Sequence, residues 1–367
     1  MKIMCVFGTR PEAIKMCPLV KELNTRSNVK TIVCVSGQHK EMLSQVLDAF
    51  RIVPDYNLNI MKKKQDLFDI TSNILLSIKQ VLLKEKPDLV LVHGDTSTAF
   101  VTALSCFYLG IKVGHVEAGL RTYNLQSPFP EEFNREAISL VANYHFSPTE
   151  FARDNLIREG KNPEHIYVTG NTGIDALKTT VRKDYKHNVL DWVGNAKLLL
   201  ITAHRRENLG EPMRQMFKAI LKLVENNKNV KAIYPVHLNP AVREIANEIF
   251  ADCPDIMLCE PMDVIDFHNL MAKSYIILTD SGGIQEEAPS LHKPVLVMRN
   301  TTERQEGVRA GVLKLIGTSY ENIYNECNIL LNNKEAYNDM IKNQNPYGDG
   351  CASKRISDII CDNLAGV

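Results

Sequence analysis

The sequence has no excess of either charge: 43 lysines and arginines face 43 aspartates and glutamates, a formal net charge of zero at pH 7. Nucleic-acid binders and polybasic membrane anchors depend on clustered positive charge, so neither partner is expected and a small-molecule substrate is. No apolar run approaches the length needed to cross a bilayer. The apolar start at 1–7 meets Gly8 too soon for a signal-peptide core, which sets the expectation of a cytoplasmic protein. Nine cysteines are scattered at 5, 17, 34, 106, 253, 259, 327, 351 and 361, with no Cys-x-x-Cys among them. That spacing argues against both a zinc site and a disulfide framework, so no metal is expected and the thiols suit a reducing compartment. Gly-x-Gly-x-x-Gly is missing too. The first turn reads Gly8-Thr9-Arg10-Pro11-Glu12, and the second candidate strand runs into Ser36-Gly37-Gln38-His39 rather than a ribose-binding acid. A nicotinamide cofactor is disfavoured, and no cofactor is expected. Repeats and low-complexity segments are absent as well.

What is present is a chain of 367 residues, 44% hydrophobic and 23% charged, the composition of a globular enzyme and more than one core usually serves. Continuous apolar runs bounded by Gly, Pro or polar turns read as doubly buried parallel strands. In the first half they fall at 3–7, 31–35, 89–93, 113–116 and 144–146, separated by amphipathic stretches at 12–23, 69–84 and 98–108. The pattern restarts after 166–171, with runs at 198–202, 231–235, 256–258, 275–279 and 294–298. The expected fold is α/β, two Rossmann-like domains facing across a cleft, with ligands at the carboxyl ends of the strands. The expected division is 1–170, completed by a C-terminal helix at 352–367, and 171–351.

The richest segment is Leu278-Thr279-Asp280-Ser281-Gly282-Gly283-Ile284-Gln285-Glu286-Glu287-Ala288-Pro289, an apolar strand breaking at Ser-Gly-Gly into a helix. Two glycines let the backbone approach a ligand, Ser281 offers a hydroxyl, and the free N–H groups of the new helix favour an anion, so the break reads as a diphosphate cradle. Glu287 is an acceptor for ribose hydroxyls by analogy with other nucleotide sites. Alone, Ser-Gly-Gly favours an ordinary capped strand-to-helix turn; a second anion-seeking site and a run of carboxylates in the other half reverse the balance. There Pro11 suits the first helical position, and Arg10 and Lys15 reach the ligand side of the strand ends. Asp95 and Glu117 follow two strands, and Glu131 opens a helix four residues before Arg135, on the same helical face. A buried acidic cluster raises at least one pKa towards neutrality and so supplies acid–base chemistry. Each carboxylate alone is as well explained by capping or pairing; three at strand ends favour catalysis. His204 follows 198–201, and Arg304 follows the last strand as a second phosphate clamp.

Six ordered segments carry a resemblance: Gly-Thr-Arg-Pro-Glu-Ala-Ile-Lys (8–15), His-Gly-Asp-Thr (93–96), Gly-His-Val-Glu-Ala-Gly-Leu-Arg (114–121), Pro-Glu-Glu-x-Asn-Arg (130–135), Thr-Ala-His-Arg-Arg-Glu-Asn (202–208) and Thr-Asp-Ser-Gly-Gly-x-Gln-Glu-Glu-Ala-Pro (279–289). Together, and nearly end to end, the chain resembles the non-hydrolysing UDP-N-acetylglucosamine 2-epimerases. The resemblance implies the glycosyltransferase-B type of fold and interconversion of UDP-GlcNAc and UDP-ManNAc through 2-acetamidoglucal. It implies that Arg10, Lys15 and Arg135 contact the substrate, that Asp95, Glu117 and Glu131 form the acid/base set, and that His204 joins them among the catalytic residues. His204, Ser281, Gly282, Gly283, Glu287 and Arg304 would hold the UDP portion, with Met262 and Phe267 beside the uracil. Some relatives bind a second UDP-GlcNAc as activator at positions matching Gln38, His39, Arg205 and His237; Glu41 and Asn73 stand where one relative has Gln and Arg. Relatives are dimers and supply surface polysaccharides such as capsule. His292, Asn300 and Gln305 replace the Gly, Asp and Pro of family members. Competing expectations are a glycosyltransferase on the same fold, a hydrolysing epimerase releasing free ManNAc, and a catalytically idle UDP-sugar sensor. Which carboxylate acts on which face of C2 stays open.

Overall fold

The computed structural model describes residues 1–37, 40–62 and 65–364. The chain folds into two compact units, the first Met1–Thr179 with the chain from Tyr347 onward, the second Thr180–Pro346. The strands of the first are β1 (Lys2–Phe7), β2 (Lys30–Val35), β3 (Tyr56–Asn57), β4 (Leu89–His93), β5 (Lys112–Val116), β6 (Tyr144–Ser147) and β7 (Ile166–Val168). They form one parallel sheet in the order β3-β2-β1-β4-β5-β6-β7. The second unit has β8 (Lys197–Thr202), β9 (Val230–Pro235), β10 (Ile256–Cys259), β11 (Ile276–Thr279), β12 (Val295–Val297) and β13 (Leu313–Leu315), parallel in the order β10-β9-β8-β11-β12-β13.

Each sheet therefore reverses its winding beside its first strand, between β1 and β4 and between β8 and β11. That reversal opens a crevice at the carboxyl ends of the two strands, the place where doubly wound folds bind ligands. The strands read as unbroken apolar runs because both faces are covered: Ile3 to Phe7 and Leu198 to Ile201 are buried throughout. In the second unit Phe217, Tyr234 and Phe250 fill one core cluster with Leu199, Ile201 and Leu278.

Several helices begin where a side chain satisfies the first N–H groups. Thr9 and Glu12 form a capping box on the helix Arg10–Leu23, and Asp66 and Asp69 form another on Leu67–Glu85. Gly110, at φ +68°, ends the helix Ser97–Leu109 in the left-handed conformation.

The units change over at 179/180 and 346/347 rather than at 170/171 and 351/352. The segment before Thr180 is bonded to the returning chain: Asn171 N donates to Tyr347 O at 2.7 Å, and Asp175 accepts from Ser353 N at 2.7 Å and Ala352 N at 3.2 Å. An ion pair of 2.7 Å between Arg26 and Asp358 ties the last helix, Ala352–Leu364, to the first unit. The edge strands β3, β7 and β13 span two or three residues each. No apolar run of the sequence reading marks these three edge strands.

Candidate active site

In the first unit the reversal point is built from the turns after β1, β4 and β5. A Cβ on Gly8 would lie 1.9 Å from Ser36 Oγ and 2.6 Å from Thr98 Oγ1, so the turn after β1 accepts only glycine. Glu12 organises the turn. Its carboxylate accepts from Gly8 N (3.0 Å), Thr9 N (2.7 Å), Thr9 Oγ1 (2.8 Å) and, from the turn after β4, Thr96 Oγ1 (2.7 Å). Burial pushes its pKa up and these four bonds oppose the shift.

That frame presents Lys15, whose Nζ pairs with Glu117 Oε2. Glu117 follows β5 at φ +64°, a left-handed conformation that costs a residue with a Cβ on the order of 1 kcal/mol. Asn171 Nδ2 donates to the same oxygen at 3.1 Å, and His93 Nε2 lies 3.7 Å away. Burial holds His93 at about 4 and His115, whose Nε2 meets Gly94 O at 2.7 Å, at about 3, so both rings are neutral at pH 7.

Asp95 stands just past β4. Its carboxylate accepts from Arg135 Nη2 at 2.5 Å, and its carbonyl accepts from Asn134 Nδ2 at 2.8 Å. Burial pushes the Asp95 carboxyl up; Glu117 and Glu131 add to the shift and Arg135 opposes it. Glu131 thus belongs to the same electrostatic cluster, half-buried at the start of the helix Glu131–Val141. Its expected pairing along the helix with Arg135 is replaced: Arg135 pairs with Asp95 and, at 3.3 Å, with the fully buried Glu132. Glu132 in turn caps the loop before the helix, accepting from Thr122 N and Tyr123 N at 2.8 Å each. A three-residue spacing serves a helical ion pair as well as a four-residue one, and burial selected the inner carboxylate.

The second unit repeats the plan with different chemistry. β8 and β11 run side by side, with Thr202 opposite Thr279 and their hydroxyls 2.6 Å apart. Asp280, fully buried, is the anchor: Oδ2 accepts from His204 N and Arg205 N at 2.9 Å and from Asn208 Nδ2 at 3.2 Å, while His204 Nδ1 lies 3.4 Å from Oδ1. Asp280 thereby welds the turn after β8 to the turn after β11. His204 remains 41% exposed at its side chain and stacks on His237, ring centroids 5.2 Å apart. Its pKa is lowered by burial, with Asp280 opposing.

Ser281 precedes the short helix Gly282–Glu287 and makes no side-chain bond to it. A Cβ on Gly282 would stand 3.0 Å from Arg304 Cζ, whereas one on Gly283 would meet open space. Glycine at 282 therefore lets the Arg304 guanidinium lie across the start of the helix, where Glu286 (2.9 Å) and Glu303 (2.5 Å) hold it. Burial would raise Glu303, but Arg304, Arg299 and Arg205 outweigh it and hold that carboxyl at about 2. Glu287 faces His268, which also meets Thr180 Oγ1. Met262 packs on the cluster around Val189, Leu198 and Leu270, and Phe267 lies beside the His268 ring.

The expected residues thus gather in two sets: Lys15, Asp95, Glu117, Glu131 and Arg135 in the first unit, and His204, Arg205, His237, Ser281, Gly282, Gly283, Glu287 and Arg304 in the second, with half-buried Arg10 opening the first helix. Gln38 and His39 lie outside the described residues. Glu12, Glu132, Asp280 and His268 carry roles that no sequence motif assigned to them. Glu12, Glu132 and Asp280 had a signal in their places inside the segments 8–15, 130–135 and 279–289; His268 lies in none of the six. Among the described residues no group of three or more His, Cys, Asp or Glu is arranged to hold a metal ion.

A carboxylate cluster with one acid shifted upward is equipped to move protons, and a glycine-rich turn beside an arginine is equipped to hold an anion. The family model described as UDP-N-acetylglucosamine 2-epimerase matches residues 21–361. The chain is 59% identical to the UDP-N-acetylglucosamine 2-epimerase of Bacillus subtilis over 97% of this chain and 94% of that one. It superposes at TM-score 0.95 and 53% identity on the crystal structure of a putative UDP-N-acetylglucosamine 2-epimerase from Listeria monocytogenes, covering 100% and 97% of the two chains. It is likewise similar to the Neisseria meningitidis UDP-GlcNAc 2-epimerase solved bound to UDP-GlcNAc, at TM-score 0.91, 48% identity and coverage of 99% and 100%. The chain belongs to the UDP-N-acetylglucosamine 2-epimerase family, and is an isomerase.

Proposed function

We propose that this isomerase inverts C2 of UDP-GlcNAc to give UDP-ManNAc, and the reverse, by eliminating UDP and adding it back. The C2 hydrogen of the substrate is not acidic, because no carbonyl adjoins that carbon. Cleaving the anomeric C–O bond first, with its electron pair leaving on UDP, places positive charge on C1 and acidifies C2–H. A carboxylate then takes the proton while the C2–H pair becomes the C1=C2 double bond of 2-acetamidoglucal. The return delivers a proton to the opposite face of C2 as a UDP oxygen adds to C1. Acids are therefore needed on both faces, and cations must stabilise the departing diphosphate.

The observation that carries this reading is the cluster of Asp95, Glu117 and Glu131 with Lys15 paired to Glu117. In it Asp95, Glu117 and Glu131 transfer protons, Arg135 orients Asp95, and Arg10 and Lys15 contact the substrate. His204, Ser281, Gly282, Gly283 and Arg304 hold the diphosphate, Glu287 the ribose, and Met262 and Phe267 the uracil. Arg205 and His237, beside His204, serve with Gln38 and His39 as a regulatory site for a second nucleotide sugar. The test is positional isotope exchange: 18O placed in the anomeric linkage of UDP-GlcNAc scrambles into the non-bridging oxygens of the β-phosphate in recovered substrate. Label that stays in the bridge throughout conversion contradicts the mechanism.

The working molecule in this reading is a cytoplasmic homodimer supplying UDP-ManNAc for surface polysaccharide. No described helix is long and apolar enough to cross a membrane. Neighbouring helices Leu67–Glu85, Ser97–Leu109 and Glu131–Val141 expose Leu76, Phe107, Tyr108 and Leu140 at 61–76% each. Apolar side chains that open to water favour a partner surface, here a second copy. Light scattering is expected to give twice the chain mass of 41.4 kDa; a mass of one chain at micromolar concentration contradicts the dimer.

A further inference from the structure

The role of Glu287 as ribose acceptor, part of the reading above, is the premise here. Its side chain is 11% exposed, and a carboxylate so buried needs a donor. His268, 3% exposed, is the polar side chain beside it: Nε2 lies 3.4 Å from Glu287 Oε2, an electrostatic contact longer than a formed hydrogen bond, and the other ring nitrogen, Nδ1, lies 2.8 Å from Thr180 Oγ1. A lone pair on Nε2 would repel the carboxylate. The hydrogen therefore sits on Nε2, and Nδ1 accepts from the Thr180 hydroxyl. Asn269 holds the segment beside the ring: Asn269 Nδ2 donates to Thr180 O and Ile265 O, and Asn269 Oδ1 accepts from Arg182 N, all at 2.8 Å. Glu287 Oε1 has no protein partner among the described residues, which leaves it to accept from a ligand.

We propose that Thr180 and His268 are positioning residues that fix Glu287 through Oε2, turning Oε1 to the ribose hydroxyls and making the enzyme select ribonucleotide sugars. The competing account makes His268 an ordinary packed side chain that supports the helix Val264–Lys273 and nothing more specific. Selectivity separates the two, because a packing defect weakens every substrate whereas a misdirected acceptor weakens only those bearing the hydroxyls.

The experiment measures kcat and KM for UDP-GlcNAc and for its 2′,3′-dideoxy analogue with wild type, H268A, H268Q and T180V, each checked for folding by circular dichroism. Wild type is expected to show a KM about tenfold higher for the dideoxy analogue, the scale of one charged hydrogen bond. H268A raises the KM for UDP-GlcNAc by about tenfold with kcat within about twofold, and leaves the KM for the analogue within about twofold, so that selectivity collapses. H268Q keeps an N–H donor within reach of Oε2 and restores most of the preference; T180V falls between. H268Q and T180V carry the test if the alanine variant does not fold. Equal increases in KM for both substrates, or no change in either, overturn the proposal. A wild type that ignores the ribose hydroxyls overturns it through Glu287 itself, while epimerisation of UDP-GlcNAc by that same wild type leaves the assigned reaction standing.

Discussion

Glu117 occupies a conformation that glycine adopts without cost, yet it is a carboxylate tied to Lys15 and Asn171. Strain retained at a charged residue beside a cation marks a group kept for chemistry. Glu117→Gln keeps the shape and removes the proton acceptor, so kcat is expected to fall on the order of 10²–10⁴-fold with KM nearly unchanged. Undiminished turnover in steady-state assays removes Glu117 from proton transfer. His292 presents the same backbone problem with no chemical reward. At φ +54°, among the described residues its ring meets Ile341 O alone, at 3.1 Å. Both Ala and Gly at 292 lose that contact, but Gly alone relieves the backbone. His292→Gly is therefore expected to be more stable than His292→Ala by about 1 kcal/mol in urea denaturation, and the reverse order refutes strain at this site. Asp95, Glu117 and Glu131 were legible in the sequence because they follow strands or open a helix. Glu12, Glu132 and Asp280 are the same residue types, but their roles come from partners in other segments, such as Thr96 for Glu12 and His204 for Asp280. Local spacing does not encode those partners.

Three strands of the first sheet carry buried histidines: His93 ends β4, His115 is next to last in β5 and His145 is second in β6. Burial lowers all three, His145 to about 4, with Lys161 and Arg121 assisting. In the unfolded chain each would titrate near 6.5. Between 6.5 and about 4 the unfolded state therefore binds more protons, so this contribution is complete above about 6.5 and is lost as pH falls. Each group gives a slope of about 1.4 kcal/mol per pH unit within that window. The buried carboxyls of Glu12 and Asp95 slope the opposite way, since their pKa values rise on folding. Comparing wild type with His145→Gln cancels them: the variant is expected to lose less stability between pH 6.5 and 5 in urea titrations, and parallel curves contradict a neutral buried His145. Among elements, the long central strands and the helices at 12–23, 69–84 and 98–108 were readable within a few residues, because apolar runs and amphipathic periods are local signals. β3, β7 and β13 were not, since pairing to a neighbour rather than composition makes them strands.

Each unit carries its own sheet, core and reversal point; in the proposed mechanism the first supplies the proton-moving carboxylates and the second the anion cradle. The twofold Rossmann plan was legible because the strand pattern restarts midway through the chain. The changeover positions were not, because they depend on Asp175 and Asn171 bonding to a returning segment some 175 residues later. At this scale the central claim is that the C2 hydrogen leaves the sugar as a proton during every inversion. UDP-GlcNAc turned over in deuterium oxide and followed by proton NMR tests it most directly. The account predicts UDP-ManNAc with deuterium at C2; UDP-ManNAc that retains the substrate's own C2 hydrogen would contradict it.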